Sequence, residues 1–283
     1  MYDILCYGAL CADQCIHVPR LPALGEGVQA LGEEQRAGGN ALNEAVALAQ
    51  WGHRVVLMGD PIGNDSAGTL LRTAIAATTI DSAYLHYDAK VLTPRCTILV
   101  TPDGQRTIVA LRHKPTTFHP PPDALLANSR LISITRYGPH TAEVAHLART
   151  ANRPILIGDA TRPDDAWSAY ADVIVTSVEL IQTHNPGLAV ARQLAALHAL
   201  RGATILLTNG PHPVEALWRD EQGEVRSLTH TPPSAPPTDT TGAGDRFRAG
   251  VAHGMLAGWS WPRIIAFACT EATALVTSRV QER

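Results

Sequence analysis

The chain has 283 residues, 45% of them hydrophobic and 17% charged, with 23 Lys and Arg against 26 Asp and Glu. The formal charge of −3 excludes a strongly basic nucleic-acid binder, and the apolar content excludes disorder as the main state. Five cysteines (Cys6, Cys11, Cys15, Cys96, Cys269) with no CxxC pair argue against a disulfide framework or zinc ribbon. No run of ~18 apolar residues offers a membrane span. The expectation is a soluble cytoplasmic protein whose thiols fill small apolar spaces.

In chain order, Ile4-Leu5-Cys6-Tyr7 reads as a buried strand, and residues 11–38 lack a helical period and read as loops and short strands. Asn40 is placed to N-cap a helix with Leu42, Ala45, Val46 and Ala49 on one face and Gly52 as its stop. Val55–Met58 is the next strand, followed by a helix near 65–76. Cys96–Val100 and Thr107–Leu111 flank Asp103-Gly104, a hairpin signature. Strands at 131–135, 155–157, 173–175 and 205–208 then alternate with helices at 141–150, 189–200, 247–257 and 264–276. This rhythm predicts a mostly parallel sheet covered on both faces. The β-rich stretches, about 11–38 and 91–112, would project from one edge as a lid on a single domain spanning 1–283.

Ligands of open parallel sheets bind beyond the carboxyl ends of the strands. Polar residues follow the expected strand ends at Asp13, Asp60, Thr135-Arg136, Asp159, Thr176-Ser177 and Thr208-Asn209. Solvent at strand ends accounts for some of them, but their clustering at one edge points to a site.

The most informative string is Asp239-Thr240-Thr241-Gly242-Ala243-Gly244-Asp245, running into Phe247. Its glycines let bare N–H groups converge at a helix N-terminus, where the dipole favours an anion. Asp245 beside that turn suits a base that takes a proton while the turn stabilises a transferring phosphoryl group. The plain alternative is a helix-start acid over a tight turn. The full string resembles the C-terminal signature of the PfkB carbohydrate kinase (ribokinase-like) family. Gly38-Gly39-Asn40-Ala41-Leu42-Asn43 is similar to that family's Gly-Gly-Asn segment, and Gly59-Asp60 with Ile62-Gly63-Asn64-Asp65 to its next glycine block. Gly104-Gln105-Arg106-Thr107 resembles its lid hairpin, and Gly158-Asp159 with Arg162 and Trp167 its Asp-x-Asn-x-Arg-Trp region.

The resemblance implies a ribokinase-like three-layer α/β/α sandwich with a central mostly parallel sheet and a small β-sheet lid. It implies ATP-dependent phosphorylation of a hydroxyl on a sugar or sugar derivative. Asp245 would be the catalytic base and Gly242, Ala243 and Gly244 the anion hole. Asp13, Gly39, Asn40 and Asn43 would contact the sugar. Thr208, Gly210, Gly242 and Gly244 would serve the ATP phosphates, and Ala268, Cys269 and Ala272 the adenine. Mg²⁺ would bridge the phosphates, with Glu179 reaching it through water if Thr176 stands for the Asn of the family's Asn-x-x-Glu segment. A monovalent-cation requirement stays open, and pairing through the lid implies a homodimer. No nucleic-acid or membrane partner is expected.

The family's Thr-x-Gly-x-x-Gly loop keeps Thr208 and Gly210 but has Pro213 at its last position, and Arg246 follows the base where a small residue or Val is common. Arg136, with His113 and Lys114, suggests an anionic acceptor, against the alternative that Arg136 pairs with Asp159. A nucleoside acceptor and a non-catalytic sensor are the other readings; 5% aromatic residues disfavour the first and the intact signature the second. No GxxxxGK[ST] is present, and Gly8-Ala9-Leu10-Cys11 lacks the GxGxxG of dinucleotide folds.

Overall fold

The computed structural model describes residues 1–111, 119–135, 139–160, 162–235 and 239–281. The chain opens with β1 (Tyr2–Gly8), β2 (Cys11–His17), β3 (Gly32–Gly38), α1 (Asn40–Gln50), β4 (Val55–Gly59) and α2 (Ser66–Ala76). The hairpin β5 (Arg95–Val100) and β6 (Arg106–Leu111) precedes α3 (Asp123–Ala127), β7 (Ser129–Ile134), α4 (Pro139–Thr150) and β8 (Ile155–Gly158). Next come β9 (Val173–Ser177), α5 (Val178–His184), α6 (Val190–Arg201) and β10 (Thr204–Asn209). The hairpin β11 (His212–Arg219) and β12 (Val225–His230) leads into α7 (Ala243–Leu256) and α8 (Trp261–Gln281).

Among the described residues, eight strands form one sheet in the order β12-β11-β10-β9-β8-β7-β1-β4. Pairing is parallel from β4 to β10, and β11 and β12 add antiparallel at one edge. Side chains alternate across this sheet. Ile4, Leu57 and Leu206 face α1, α2, α7 and α8, packing with Leu48, Leu71, Val251 and Ile265. Leu5, Val56, Ile132 and Ile205 face α3 to α6, packing with Leu126, Val144, Ile181 and Leu197. This is the three-layer sandwich the resemblance implies. The β11–β12 hairpin was not anticipated; Val214, Ala216 and Trp218 pack on one face of the sheet and Leu217 on the other, while Glu215 between them is exposed, a mixed pattern that does not declare a strand.

The two β-rich stretches meet as a second, four-stranded sheet, order β3-β2-β5-β6. Its small core holds Cys11, Cys15, Cys96, Ile98 and Val100, whereas all six residues of β6 are exposed. Gly39 joins this sheet to α1. Its φ is +98°, and a Cβ there would stand 2.3 Å from the Ala9 carbonyl oxygen, so only glycine fits.

Candidate active site

Asn40 does not cap α1. Gly39 holds the N-cap position and Asn40 is the first helical residue, which frees its side chain to donate to Asp159 Oδ2 at 3.2 Å. Asn40, Asn43 and Glu44 share one helical face at i, i+3 and i+4. Asn43 Nδ2 donates to Asp245 Oδ2 at 2.8 Å, and Glu44 Oε2 accepts from Arg248 Nε at 3.0 Å. One turn of α1 thereby reaches the end of β8 and the start of α7.

Asp245 lies in the first turn of α7, whose N-cap Gly242 has φ +81°, a left-handed backbone that favours glycine. The Ala243 N–H is already engaged by the Thr240 carbonyl at 3.1 Å, while those of Gly244 and Asp245 have no backbone acceptor among the described residues. A Cβ on Gly244 would meet nothing within 4 Å. Of the three residues expected to form the anion hole, Gly242 shapes the turn and Gly244 offers an N–H into open space; Ala243 offers none. The Asp245 N–H joins that of Gly244 at the positive end of the helix.

Arg248, one turn further on, donates through Nη2 to Asp245 Oδ1 at 2.8 Å. It is 2% exposed and Glu44 is fully buried. Burial alone would lower the Arg248 pKa, but Glu44, Asp245 and Asp159 outweigh it and keep the guanidinium charged. Burial lifts the Asp159 carboxyl above its ordinary range, with Arg248 opposing and Asp245 adding to the rise. Asp159 sits at φ +65° directly after β8. The preceding Gly158 makes room for Arg248, since a Cβ would stand 2.5 Å from Nη1.

Asp13 faces the same region from β2 and is 6% exposed. Burial raises its pKa; the Cys11 thiol and Arg36 oppose this and Asp245 adds to it. Gly38 on β3, opposite Cys11, leaves the space the Asp13 side chain occupies, a Cβ there falling 2.0 Å from Oδ2. The lid is also tied to the signature string. Arg36 Nη2 on β3 donates to Asp239 Oδ2 at 2.6 Å, and Arg106 on β6 to the Thr240 hydroxyl.

The structure therefore brings Asp13, Gly39, Asn40 and Asn43 together with Asp245 and its turn. Thr208 lies at the end of β10 and donates to the Thr176 carbonyl at 3.2 Å, and Gly210 forms the β10–β11 turn at φ +55°. Ala268 and Cys269 are buried in the α7–α8 contact, where Gly250 admits Ala268 closely, and Ala272 is half-buried at its margin. Glu179 is exposed in the first turn of α5. Asp60 has a structural task, accepting from the Leu10 N–H at 3.3 Å. Arg246 is anchored by Glu271 at 2.7 Å and lies 4.4 Å above the Trp51 ring, which explains a bulky residue after Asp245. Arg136, His113 and Lys114 lie outside the described residues. Sequence reasoning missed Glu44, Arg248 and Arg36, and the tie from Arg106 to Thr240; for Glu44 and Arg248, two opposite charges on the inner faces of two helices were the available signal.

With this geometry in hand, the description "pfkB family carbohydrate kinase" matches residues 1–281. The chain belongs to that family. Among relatives of this carbohydrate kinase, an acarbose 7(IV)-phosphotransferase of Actinoplanes sp. is 28% identical over 266 residues, covering 90% of this chain and 86% of the other. The ribokinase of Haemophilus influenzae is 25% identical over 289 residues, covering 96% and 91%. The structure of Arabidopsis thaliana ribokinase complexed with ribose and ATP superposes with a TM-score of 0.79 at 21% identity, covering 97% of this chain and 92% of that one. As a carbohydrate kinase, the protein is a phosphotransferase with an alcohol group as acceptor.

Proposed function

We propose that this kinase transfers the γ-phosphoryl group of ATP to a hydroxyl of a neutral sugar or sugar derivative, with Asp245 as the base. The observation that carries this reading is the fixing of Asp245 by Asn43 and Arg248, each at 2.8 Å, in the first turn of α7. Each carboxylate oxygen keeps a lone pair after these bonds, so an acceptor hydroxyl can hand its proton to Asp245 as its oxygen attacks phosphorus. The N–H groups of Gly244 and Asp245, aided by the helix dipole, stabilise the charge that grows on the phosphoryl oxygens. Asp13, Asn40 and Asn43, with the backbone at Gly39, bind the acceptor's other hydroxyls. The buried Asp13 carboxylate favours a neutral polyol over an anion; the anionic alternative rests on Arg136.

Thr208, Gly210 and the Gly242–Gly244 turn serve the ATP phosphates, and the margin of α8 at Ala272, beside Ala268 and Cys269, serves the base. The Thr176 hydroxyl is buried without a hydrogen-bond partner among the described residues. Oxygen donors at one sheet edge fit Mg²⁺, which keeps most of its waters and binds through few carboxylates. Glu179 would hold it through water, and bound Mg²⁺ would neutralise phosphate charge. Five buried cysteines outside any disulfide suit a reducing cytoplasm. No helix among the described residues is long and apolar enough to cross a membrane. Two copies pair through the open β6 edge of the lid, completing an otherwise unpaired strand.

The test is ADP release with ATP and Mg²⁺ against neutral sugars, sugar phosphates and nucleosides. Acceptor-dependent turnover confined to neutral sugars, falling about 10²–10⁴-fold in Asp245→Asn, is the expected outcome. Equal use of sugar phosphates would overturn the neutral-acceptor reading, and unimpaired turnover in Asp245→Asn the assignment of the base.

A further inference from the structure

The lid core contains a cluster that phosphoryl transfer does not require. β2 and β5 pair in parallel with Asp13 opposite Cys96. The Cys11 thiol donates to Asp13 Oδ1 at 3.1 Å and stands 3.8 Å from Cys96 Sγ. One ligand atom from each of Cys11, Asp13 and Cys96 lies within 4.8 Å of the other two. All three residues are buried, at 3%, 6% and 7% exposure.

Two thiolates on a tetrahedral zinc ion, each with a bond of about 2.3 Å, are separated by about 3.8 Å. The two sulfurs here already have the spacing of one edge of that tetrahedron, and a carboxylate stands against it. Apolar packing would explain two adjacent thiols; the hydrogen bond from Cys11 to Asp13 sets a carboxylate oxygen beside them as a third ligand atom. Soft thiolates select zinc-like ions over magnesium, which prefers oxygen.

We propose that Cys11, Cys96 and Asp13 form a three-ligand site for a thiophilic divalent cation such as Zn²⁺, with the fourth position open to water. Binding releases the two thiol protons to solvent and involves no change of oxidation state. The ion occupies the carboxylate assigned above to the acceptor, so it competes with the sugar. That consequence rests on the proposed role of Asp13; the binding itself does not.

The experiment uses the full chain with Co²⁺ as a spectroscopic probe, followed by Zn²⁺ inhibition at saturating Mg²⁺ and ATP. One Co²⁺ per chain with thiolate-to-cobalt charge-transfer absorption is expected, displaced by Zn²⁺ and weakened tenfold or more in Cys96→Ala and in Cys11→Ser. Zn²⁺ should inhibit competitively against the acceptor, and Cys96→Ala should need at least tenfold more Zn²⁺ for the same inhibition. No charge-transfer band in the wild-type chain overturns the site, whatever the variants do. So does a band, or a Zn²⁺ sensitivity, unchanged in both substitutions. A thiolate-dependent band without competition leaves the metal site standing and overturns the role of Asp13 in acceptor binding.

Discussion

Arg248 carries a full charge with 2% of its surface exposed, and Glu44 answers it from a fully buried position. Removing one member of such a pair strands the other. Arg248→Met should lower the free energy of unfolding by about 3–5 kcal/mol, and adding Glu44→Gln should recover most of that in denaturant titrations. The double variant should nevertheless stay slow, with kcat down about 10–100-fold and acceptor KM little changed, because Asp245 Oδ1 has lost the donor that aims it. Recovered stability with wild-type kcat would reduce Arg248 to a packing residue. The place of Asp245 in the first turn of a helix was legible in the sequence, since the Gly-Ala-Gly turn before it marks a helix start. Arg248 was not, because a lone arginine on a helix reads as solvated. Its burial depends on Gly158, which lies about ninety residues away in the chain and clears its path.

At the scale of elements, two lid strands grip the string that precedes α7. Burial pushes the Asp239 carboxyl up, but its hydrogen bonds with Thr241 and Arg36, and the Arg36 charge, prevail and hold it well below the ordinary carboxylate range. A depressed folded-state pKa stabilises the fold while the group is ionised. The contribution is complete above the unfolded pKa of about 3.9 and disappears as pH falls through the folded value. The stability advantage of the wild-type chain over Asp239→Asn should therefore be constant from pH 5 to 7, at about 1–3 kcal/mol for this partly exposed partner. It should shrink steadily below about pH 4. Thermal melts of both chains across that range provide the check; a gap independent of pH would remove the ion pair from the account. Most strands and helices were legible from periodicity and glycine stops. The start of α1 was misread because Asn is a good N-cap in isolation, whereas the positive φ at Gly39 moves the helix start and turns Asn40 toward Asp159.

For the whole molecule, the lid is the unfinished surface. On β6, Ile108, Val109 and Leu111 are 50%, 62% and 52% exposed, and nothing among the described residues pairs with the strand's outer edge. An open apolar edge of this kind invites a second copy. Sedimentation velocity should show a dimer for the wild-type chain and a monomer for Val109→Lys/Leu111→Lys; a wild-type monomer at micromolar concentration would remove lid pairing. The order of motifs along the chain made the sandwich legible. The antiparallel β11–β12 hairpin was hidden because its strands mix exposed residues irregularly among the buried and half-buried ones and leave a weak pattern.

The lid has an apolar core of its own, Cys11, Cys15, Cys96, Ile98 and Val100, separate from the two cores that flank the main sheet. On the proposed assignment, substitutions there would act on the acceptor side and leave the packing beneath the Gly242-Ala243-Gly244 turn alone. A lineage can thus change its diet of sugars while inheriting the transfer chemistry unchanged. For an engineer the same partition marks where to cut: exchanging residues 11–38 and 95–111 as a pair, with the glycines at 38 and 39 and the ties from Arg36 to Asp239 and Arg106 to Thr240 retained, is the transplant most apt to redirect the enzyme without dismantling it.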